Sequence, residues 1–506
     1  MVDEKLEYMI GRGTAVIPFL IFIIITIVLS FLKAPSLNMM IAAAIIGLIV
    51  GMFFCKDWRR YWDEVLTGMG SKLAMTAVMI WLVVGIYAGI LGAGRVVDGL
   101  AWGGNALGIT GSLFTLFTFL ACMMFATATG TSLGTIAAMG VIMYPAGLLL
   151  GANPIFLAGA ILSGAAFGDN IAPVSDTTII SAISQEYQRR RGTAEIGGVV
   201  RSRFKYAIIS AVIAMVLYTL VGGGGTLAIN PTESSAILAE HSYPPGLLML
   251  ISAAIVIFLA VKGKSIFVAL TGGIISAVAI GIPAGLFSIS DIIRIEGTSV
   301  QGVIPAGVAG MLTVSILLIV VVAMGHLLIK SGCMETTVGW VGKNIAKSPR
   351  SNELSIWGLA TVFNILIAAI NTIAIICVAP FINAIGKKHK LHPYRRANIM
   401  DATTCTWPFF LPYGGAILLL IGTMNVTAQT YSFVTPLAPT SMFFAVFYSW
   451  VLWFVMLISI VVGYGREFEG RGGRRIKAWF QNKVPTEAGA EIYTRDRRGP
   501  PQLGKL

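Results

Sequence analysis

Apolar runs of about 18 or more residues recur from Val16 to Gly463, and a run of that length is what a helix needs to cross the hydrocarbon core of a bilayer. Lipid offers backbone amides and carbonyls no partners, so such runs must close their own hydrogen bonds as helices. The apolar segments fall at 17–32, 37–55, 73–93, 111–150, 154–186, 206–222, 244–261, 266–287, 307–329, 354–386, 394–423 and 440–463. With 56% hydrophobic and only 12% charged residues, the predicted fold class is an all-α polytopic membrane protein. No stretch reads as a soluble catalytic domain.

A net charge of +13 would suggest a nucleic-acid partner in a soluble chain. Here 33 of the 36 Lys and Arg fall in alternate loops, leaving Lys33, Arg95 and Arg294 on the other side. That asymmetry is the positive-inside pattern. It predicts both termini in the cytoplasm, a multi-pass protein of the cell inner (plasma) membrane, the bilayer as partner, and no nucleic acid. Arg189-Arg-Arg191 reads as a topogenic loop, the first apolar segment as a span rather than a cleaved signal, and the basic residues after Gly463 as a flexible tail. The five cysteines lie in or beside apolar segments without paired spacing, so neither a disulfide framework nor a metal cluster is expected.

Slid against itself, the chain pairs Gly94 with Gly332, Trp102 with Trp340, Gly104 with Gly342, Pro154 with Pro393 and Pro173 with Pro412. The first copy starts on the basic side and the second on the opposite side, so two inverted-topology repeats are predicted, the arrangement of alternating-access transporters. The domains read as an N-terminal membrane repeat (1–222), an extracytoplasmic linker (223–243), a C-terminal inverted repeat (244–464) and a basic cytoplasmic tail (465–506). Segments 111–150 and 354–386 each turn at a short uncharged spot, Thr129-Gly-Thr131 and Ile370-Asn-Thr372. Each is predicted as a re-entrant hairpin, with two full crossings as the alternative. The segments that follow are each interrupted midway, by Gly168 to Asp176 and by Trp407 to Gly415, and are predicted discontinuous transmembrane helices.

The first interruption places Asp169 and Asp176 where charge costs about 3 kcal/mol, so these carboxylates are functional candidates. A helix ending near Phe167 would offer free carbonyls and a partial negative charge suited to a cation. Around it stand Asn170, Ser175, Thr177 and Thr178, with Thr129, Thr131, Ser132 and Thr135 at the hairpin tip. Such an oxygen-rich set without imidazole or sulfur fits a hard cation, and Na+ is assigned to Asp169 and Asp176. A carboxylate in a dry pocket is neutralised either by a cation or by a proton, so Na+ and H+ are expected to compete at Asp169. The second copy offers Asn371, Thr372, Asp401, Thr404 and Thr406. Its acid is displaced, because Pro408 aligns with Asp169. Trp407, Phe409, Phe410 and Tyr413 are candidates to wall an organic substrate or, more simply, to pack the core. His326, near the cytoplasmic end of its helix, is a candidate to tune a pH response or, more simply, a satisfied structural histidine.

The stretches Thr129-Gly-Thr-Ser-Leu-Gly-Thr135 and Gly168-Asp-Asn-Ile-Ala-Pro-Val-Ser-Asp-Thr-Thr178 resemble the two signature motifs of NhaC-type sodium/proton antiporters, within the ion transporter superfamily. The resemblance covers most of the membrane region. That family commonly carries Lys after the first Asp and Ser before the Pro, where this chain has Asn170 and Ala172. The resemblance implies sodium-coupled antiport with no cofactor beyond the transported Na+ and H+, and a homodimer. The alternative it leaves open is a Na+- or H+-coupled carrier of a small organic acid or amino acid. An intramembrane aspartyl protease is disfavoured, because Asp169 follows Ala-Phe-Gly and no Pro-Ala-Leu follows. A passive channel is disfavoured by the absence of a pore-lining charge ring.

Overall fold

The computed structural model describes residues 5–32, 36–225, 240–367 and 371–486. Among them eight helical stretches are long and apolar enough to cross a membrane, and four shorter apolar helices accompany them. The only strands among the described residues are two small hairpins. Helices α1 (Ile17–Phe31), α2 (Leu37–Met52) and α3 (Trp58–Met69) precede the first copy. That copy comprises α4 (Lys72–Ala93), α5 (Val96–Ala106), α6 (Gly111–Thr129), α7 (Ser132–Leu149), α8 (Pro154–Ile171), α9 (Asp176–Ile183) and α10 (Ile196–Val221). After α11 (Met249–Val261), α12 (Ile266–Gly281), α13 (Ile289–Ile292) and the hairpin β1 (Arg294–Glu296) and β2 (Ser299–Gln301), the pattern repeats. The second copy comprises α14 (Val303–Ser331), α15 (Cys333–Asn344), α16 (Pro349–Ile367), α17 (Asn371–Lys388), α18 (Pro393–Thr404), α19 (Gly415–Thr430) and α20 (Phe447–Val462).

The correspondence is residue-level. In each copy a left-handed residue, Arg95 (φ 55) or Gly332 (φ 69), stands immediately before the second helix. Gly111 and Pro349, Ser132 and Asn371, and Pro154 and Pro393 begin matching helices 238 or 239 residues apart. The copies run in opposite directions. The open end of hairpin α6–α7 closes through the Gly111 amide on the Leu150 carbonyl (2.7 Å) and lies beside Gly222, whose carbonyl accepts from Asn153 (2.9 Å). The open end of α16–α17 closes through Asn352 Nδ2 on the Ile385 carbonyl (2.6 Å), and Arg350 N donates to Asn482 (2.9 Å). The second end is the basic one. Leu6 bonds Lys330 there, His389 meets Ala346 and Leu391 pairs with Phe468. Arg95 stands at the other end, its Nη2 on the Glu240 carbonyl, and Lys33 lies outside the described residues.

Hairpin α6–α7 turns at Gly130, whose φ of 70° is the left-handed geometry glycine tolerates. Thr131 then caps α7 by accepting from the Gly134 amide (3.2 Å). A β-carbon at Gly130 would meet Val174 and the Ser175 amide, so the tip sits against the interruption of the next helix. Beyond that interruption α9 continues for 8 residues, about 12 Å at the helical rise. The tip therefore stops short of the basic end, and the hairpin is re-entrant. Of the matching second tip, Ile370 lies outside the described residues, while Asn371 opens α17.

The first interruption is shorter than its sequence suggests. Helix α8 runs to Ile171, closed by the Ala172 amide on the Gly168 carbonyl (2.8 Å), and only Ala172 to Ser175 are non-helical. Pro173 explains the stop, since proline lacks the donor and its ring disfavours helical geometry at the preceding residue. Asp169 thus sits in the last turn of α8 rather than beyond it. The second interruption, with Pro408 and Pro412, spans Cys405 to Gly414 and holds one short 3₁₀ turn.

Glycines set how closely α8 can approach its neighbours. A β-carbon at Gly164 would strike Cys122 and the Phe119 carbonyl, and one at Gly168 would strike the backbone of Ala126 and Thr127. Small residues permit such backbone contact between membrane helices. Gly168→Ala is expected to push α6 off α8 and so move the hairpin tip. A lowered thermal midpoint of the purified protein would be the readout; an unchanged midpoint would contradict the close packing.

The segment after Gly463, expected to be a flexible tail, is ordered through residue 486. Strands β3 (Glu467–Glu469) and β4 (Arg475–Lys477) pair there. Glu469 accepts from the amides of Gln188 and Arg189, and Arg466 is buried against Glu353. Buried charge pairing, invisible in a composition of scattered basic residues, holds the segment down.

Candidate ion-binding site

Asp169 is 5% exposed and takes hydrogen bonds from three directions. Ser175 Oγ, at the end of the interruption, donates to Oδ1 at 2.6 Å. Ser132 Oγ, at the first tip, donates to Oδ2 at 3.0 Å, and Asn371 Nδ2, at the second tip, donates to the same oxygen at 2.8 Å. One carboxylate thereby joins both hairpin tips and the broken helix. Its own backbone carbonyl accepts from Thr177 Oγ1 (3.2 Å) and Thr178 Oγ1 (3.4 Å), the first residues of α9. Ser175 precedes α9 as its N-cap residue, yet its hydroxyl turns to Asp169 and Thr177 instead of capping the helix.

These donors are neutral, and no salt bridge to Asp169 occurs among the described residues. A buried charge without a counter-charge is costly, so the arrangement calls for a cation or a proton on Asp169. The serine hydroxyls that now donate to the carboxylate, and the side-chain carbonyl oxygen of Asn371 beside it, can turn to ligate a small hard cation.

Behind Asp169 lies a second buried acid. Asp401 in α18 accepts from Ser181 Oγ (2.7 Å), Asn170 Nδ2 (3.3 Å) and Cys405 Sγ (2.9 Å), and it pairs with Arg203 of α10 at 2.7 Å. Asn170 is the link between the two acids. Its amide also accepts from Tyr448 Oη at 3.2 Å.

The other sequence candidates separate clearly. Asp176 is exposed at the first turn of α9, on a different face from buried Thr177 and Thr178, and the geometry does not bring it to Asp169. Thr129 and Thr135 bond back to helix carbonyls, of Phe125 (2.9 Å) and Thr131 (2.8 Å). Thr404 and Thr406 do the same to Asp401 and Thr403. The Thr372 amide donates to the Asn371 side-chain oxygen (3.0 Å). Trp407 and Phe410 pack with Trp450, the last two stacked at 4.3 Å, while Tyr413 packs on Phe22 and donates to the Ile365 carbonyl. These aromatics therefore fill the core around the second break. His326 pairs with Glu64 at 2.8 Å. The site residues missed in the sequence are Arg203, Ser181, Asn398 and Tyr448. For Arg203 a signal existed: Val199, Ser202, Arg203, Tyr206 and Ser210 are one buried face of α10 at helical spacing.

Losing a single hydroxyl donor should cost about 1 kcal/mol, or roughly 5-fold in affinity. Ser132→Ala is thus expected to weaken Na+ binding by about that factor, whereas Thr135→Ala, whose hydroxyl serves only a helix carbonyl, should leave it unchanged. Equal effects in a Na+ titration of thermal stability would contradict the assignment.

A family model described as the Na+/H+ antiporter family matches residues 8–222. The chain is similar to the malate-2H+/Na+-lactate antiporter of Bacillus subtilis (strain 168), with 29% identity over 335 residues, covering 63% of this chain and 69% of that protein. It is 25% identical over 237 residues to the Na+/H+ antiporter NhaC of Alkalihalophilus pseudofirmus, covering 46% of this chain and 50% of that one. It is 29% identical over 233 residues to the arginine/ornithine antiporter ArcD of Halobacterium salinarum, covering 44% and 46%. The latter two matches span about half the length of those relatives. Both signature stretches, at Thr129 and at Gly168, fall within the matched region. Residues 8–222 thus resemble the Na+/H+ antiporter family, and NhaC-type antiporters are among the proteins to which the chain is similar.

Proposed function

We propose that the protein is a secondary antiporter that exchanges Na+ for H+ by alternating access, the two ions competing for Asp169. The observation that carries this reading is the Asp169 carboxylate itself: buried, served by neutral donors only, and clasped by elements of both inverted repeats. A site built between two oppositely oriented hairpins can change sides when the hairpins move relative to the rest of the fold. Neutralising the carboxylate, by Na+ on one side and H+ on the other, removes the cost of carrying a bare charge through the membrane. The end that gathers the basic loops faces the cytoplasm in this reading, with the protein in the plasma membrane.

The test is proton flux in proteoliposomes of the purified protein on addition of Na+ alone. A saturable pH change that reverses with the Na+ gradient is the expected result. Absence of any flux, with Na+ still stabilising the protein, would overturn direct exchange. It would favour the second reading, Na+- or H+-coupled transport of a small organic acid or amino acid. That reading draws on two relatives, a malate-2H+/Na+-lactate antiporter and an arginine/ornithine antiporter.

A further inference from the structure

Arg203 has a buried guanidinium whose nitrogens are all engaged. Nη1 reaches the Asp401 carboxylate (2.7 Å), the Asn170 carbonyl (2.5 Å) and Thr178 Oγ1 (3.2 Å). Nη2 donates to Ser181 Oγ (3.3 Å) and Nε to Asn398 Oδ1 (3.2 Å). One side chain on α10 therefore ties the end of α8, the start of α9 and the acid of α18 together. Ser181 Oγ, Asn170 Nδ2 and Cys405 Sγ also donate to Asp401. On the other side of Asn170, the neighbouring carboxylate of Asp169 has three donors of its own and none is charged.

The two buried acids thus differ in one physical respect, a built-in cation at one and none at the other among the described residues. Arginine keeps its charge at any pH a protein meets, so Asp401 is permanently balanced, while Asp169 must be balanced from solution. We propose that Arg203 is a resident counter-ion that fills the charge requirement of Asp401, limiting the centre to one exchangeable monovalent cation at Asp169. Exchange is then one Na+ for one H+ with no net charge moved. The exchange stoichiometry rests on the antiport reading above; the count of bound cations does not. Arg203 is a positioning residue that acts through Asp401 and Asn170, and it also anchors the carbonyl end of the broken helix from which Asp169 projects.

Two measurements test it. Equilibrium binding of radioactive Na+ to purified protein should give one ion per chain in the wild type and two in Arg203→Gln, where Asp401 is set free. Arg203→Gln/Asp401→Asn should return the count to one. That double variant leaves no unpaired buried charge, so it keeps the test usable where the single variant fails to fold. Two ions in the wild type, one in folded Arg203→Gln, or any count other than one in the double variant would overturn the proposal. In proteoliposomes, wild-type Na+-driven proton flux should be indifferent to a membrane potential imposed with K+ and valinomycin, and a potential-driven wild-type flux would also overturn it. Single-ion binding without any proton flux would defeat the antiport reading and still support the resident counter-ion.

Discussion

Asp169→Asn is expected to abolish Na+-dependent proton movement while leaving the protein folded. The substitution keeps the shape of the side chain and removes its charge. With the amide oxygen on the Oδ1 side Ser175 still donates to it, while Ser132 Oγ and the Asn371 carbonyl oxygen can turn to accept from the new NH2 on the other side. What disappears is the only reason for a cation to leave water. A charge at bilayer depth is worth about 3 kcal/mol on insertion scales, so losing the compensating carboxylate should lower Na+ affinity by roughly 100-fold or more. The proton branch fails as well, because an amide has no proton to exchange. The variant should be at least as stable as the wild type without Na+, since an uncompensated buried charge has been removed, and Na+ should no longer raise its thermal midpoint. Wild-type proton flux in this variant would remove Asp169 from the mechanism. Asp176→Asn supplies the contrast: the side chain is exposed and stands apart from Asp169, so flux should stay close to wild type.

That contrast shows what a sequence can and cannot say about such a site. Asp169 and Asp176 look alike in the sequence, two acids in one polar interruption, each followed by hydroxyl or amide side chains. The structure separates them because α8 keeps winding to Ile171, which carries Asp169 into the last helical turn, while α9 begins at Asp176 itself and turns it outward. Helix boundaries decided the matter, and they depend on how far α8 can pack before Pro173. The architecture was far more legible. The 239-residue offset is written in Pro154 and Pro393, and in Pro173 and Pro412, because an inverted repeat must break its helices at matching depths. Asn371, proposed from the matching tip, does reach the Asp169 carboxylate across the repeat boundary.

Charge was the less transparent feature. The sorting of charge between the two ends takes Arg203, Arg395 and Arg396 as loop cations, yet all three are buried. Sequence distinguishes a topogenic arginine from a buried one only when its partner is known, and Asp401 and Glu353 lie far along the chain from Arg203 and Arg466 respectively. The basic end is therefore more than a row of charges facing lipid headgroups. It includes a tied set of ion pairs that joins the starts of two second-copy helices, α16 and α18, to the segment after Gly463.

Glu353→Gln is expected to be the most destabilising single change in this set. Glu353 is fully buried and divides its two oxygens between two arginines. Oε1 takes Arg395 Nε (2.8 Å), and Oε2 takes Arg466 Nε (3.0 Å) and Nη2 (2.8 Å) together with Arg395 Nη2 (3.4 Å). Arg395 further donates to Tyr206 Oη and Ser459 Oγ, and Arg466 to the Ile460 and Gln481 carbonyls. Removing one partner of a buried pair costs about 3–5 kcal/mol, and here a single neutralisation strands two cations, which puts the expected loss at about 5 kcal/mol. The thermal midpoint in detergent should fall by several degrees, whereas Glu7→Gln, at an exposed pair with Lys56, should change it little because surface pairs are worth at most about 1 kcal/mol. Truncation after Gly463 removes Arg466 and the β3–β4 hairpin together. It leaves Glu353 with Arg395 alone, so it should destabilise less per charge but also release loop 186–195, whose Gln188 and Arg189 amides lose Glu469. A truncated protein as stable as the full chain would mean that the ordered segment after Gly463 contributes nothing to holding the basic end closed.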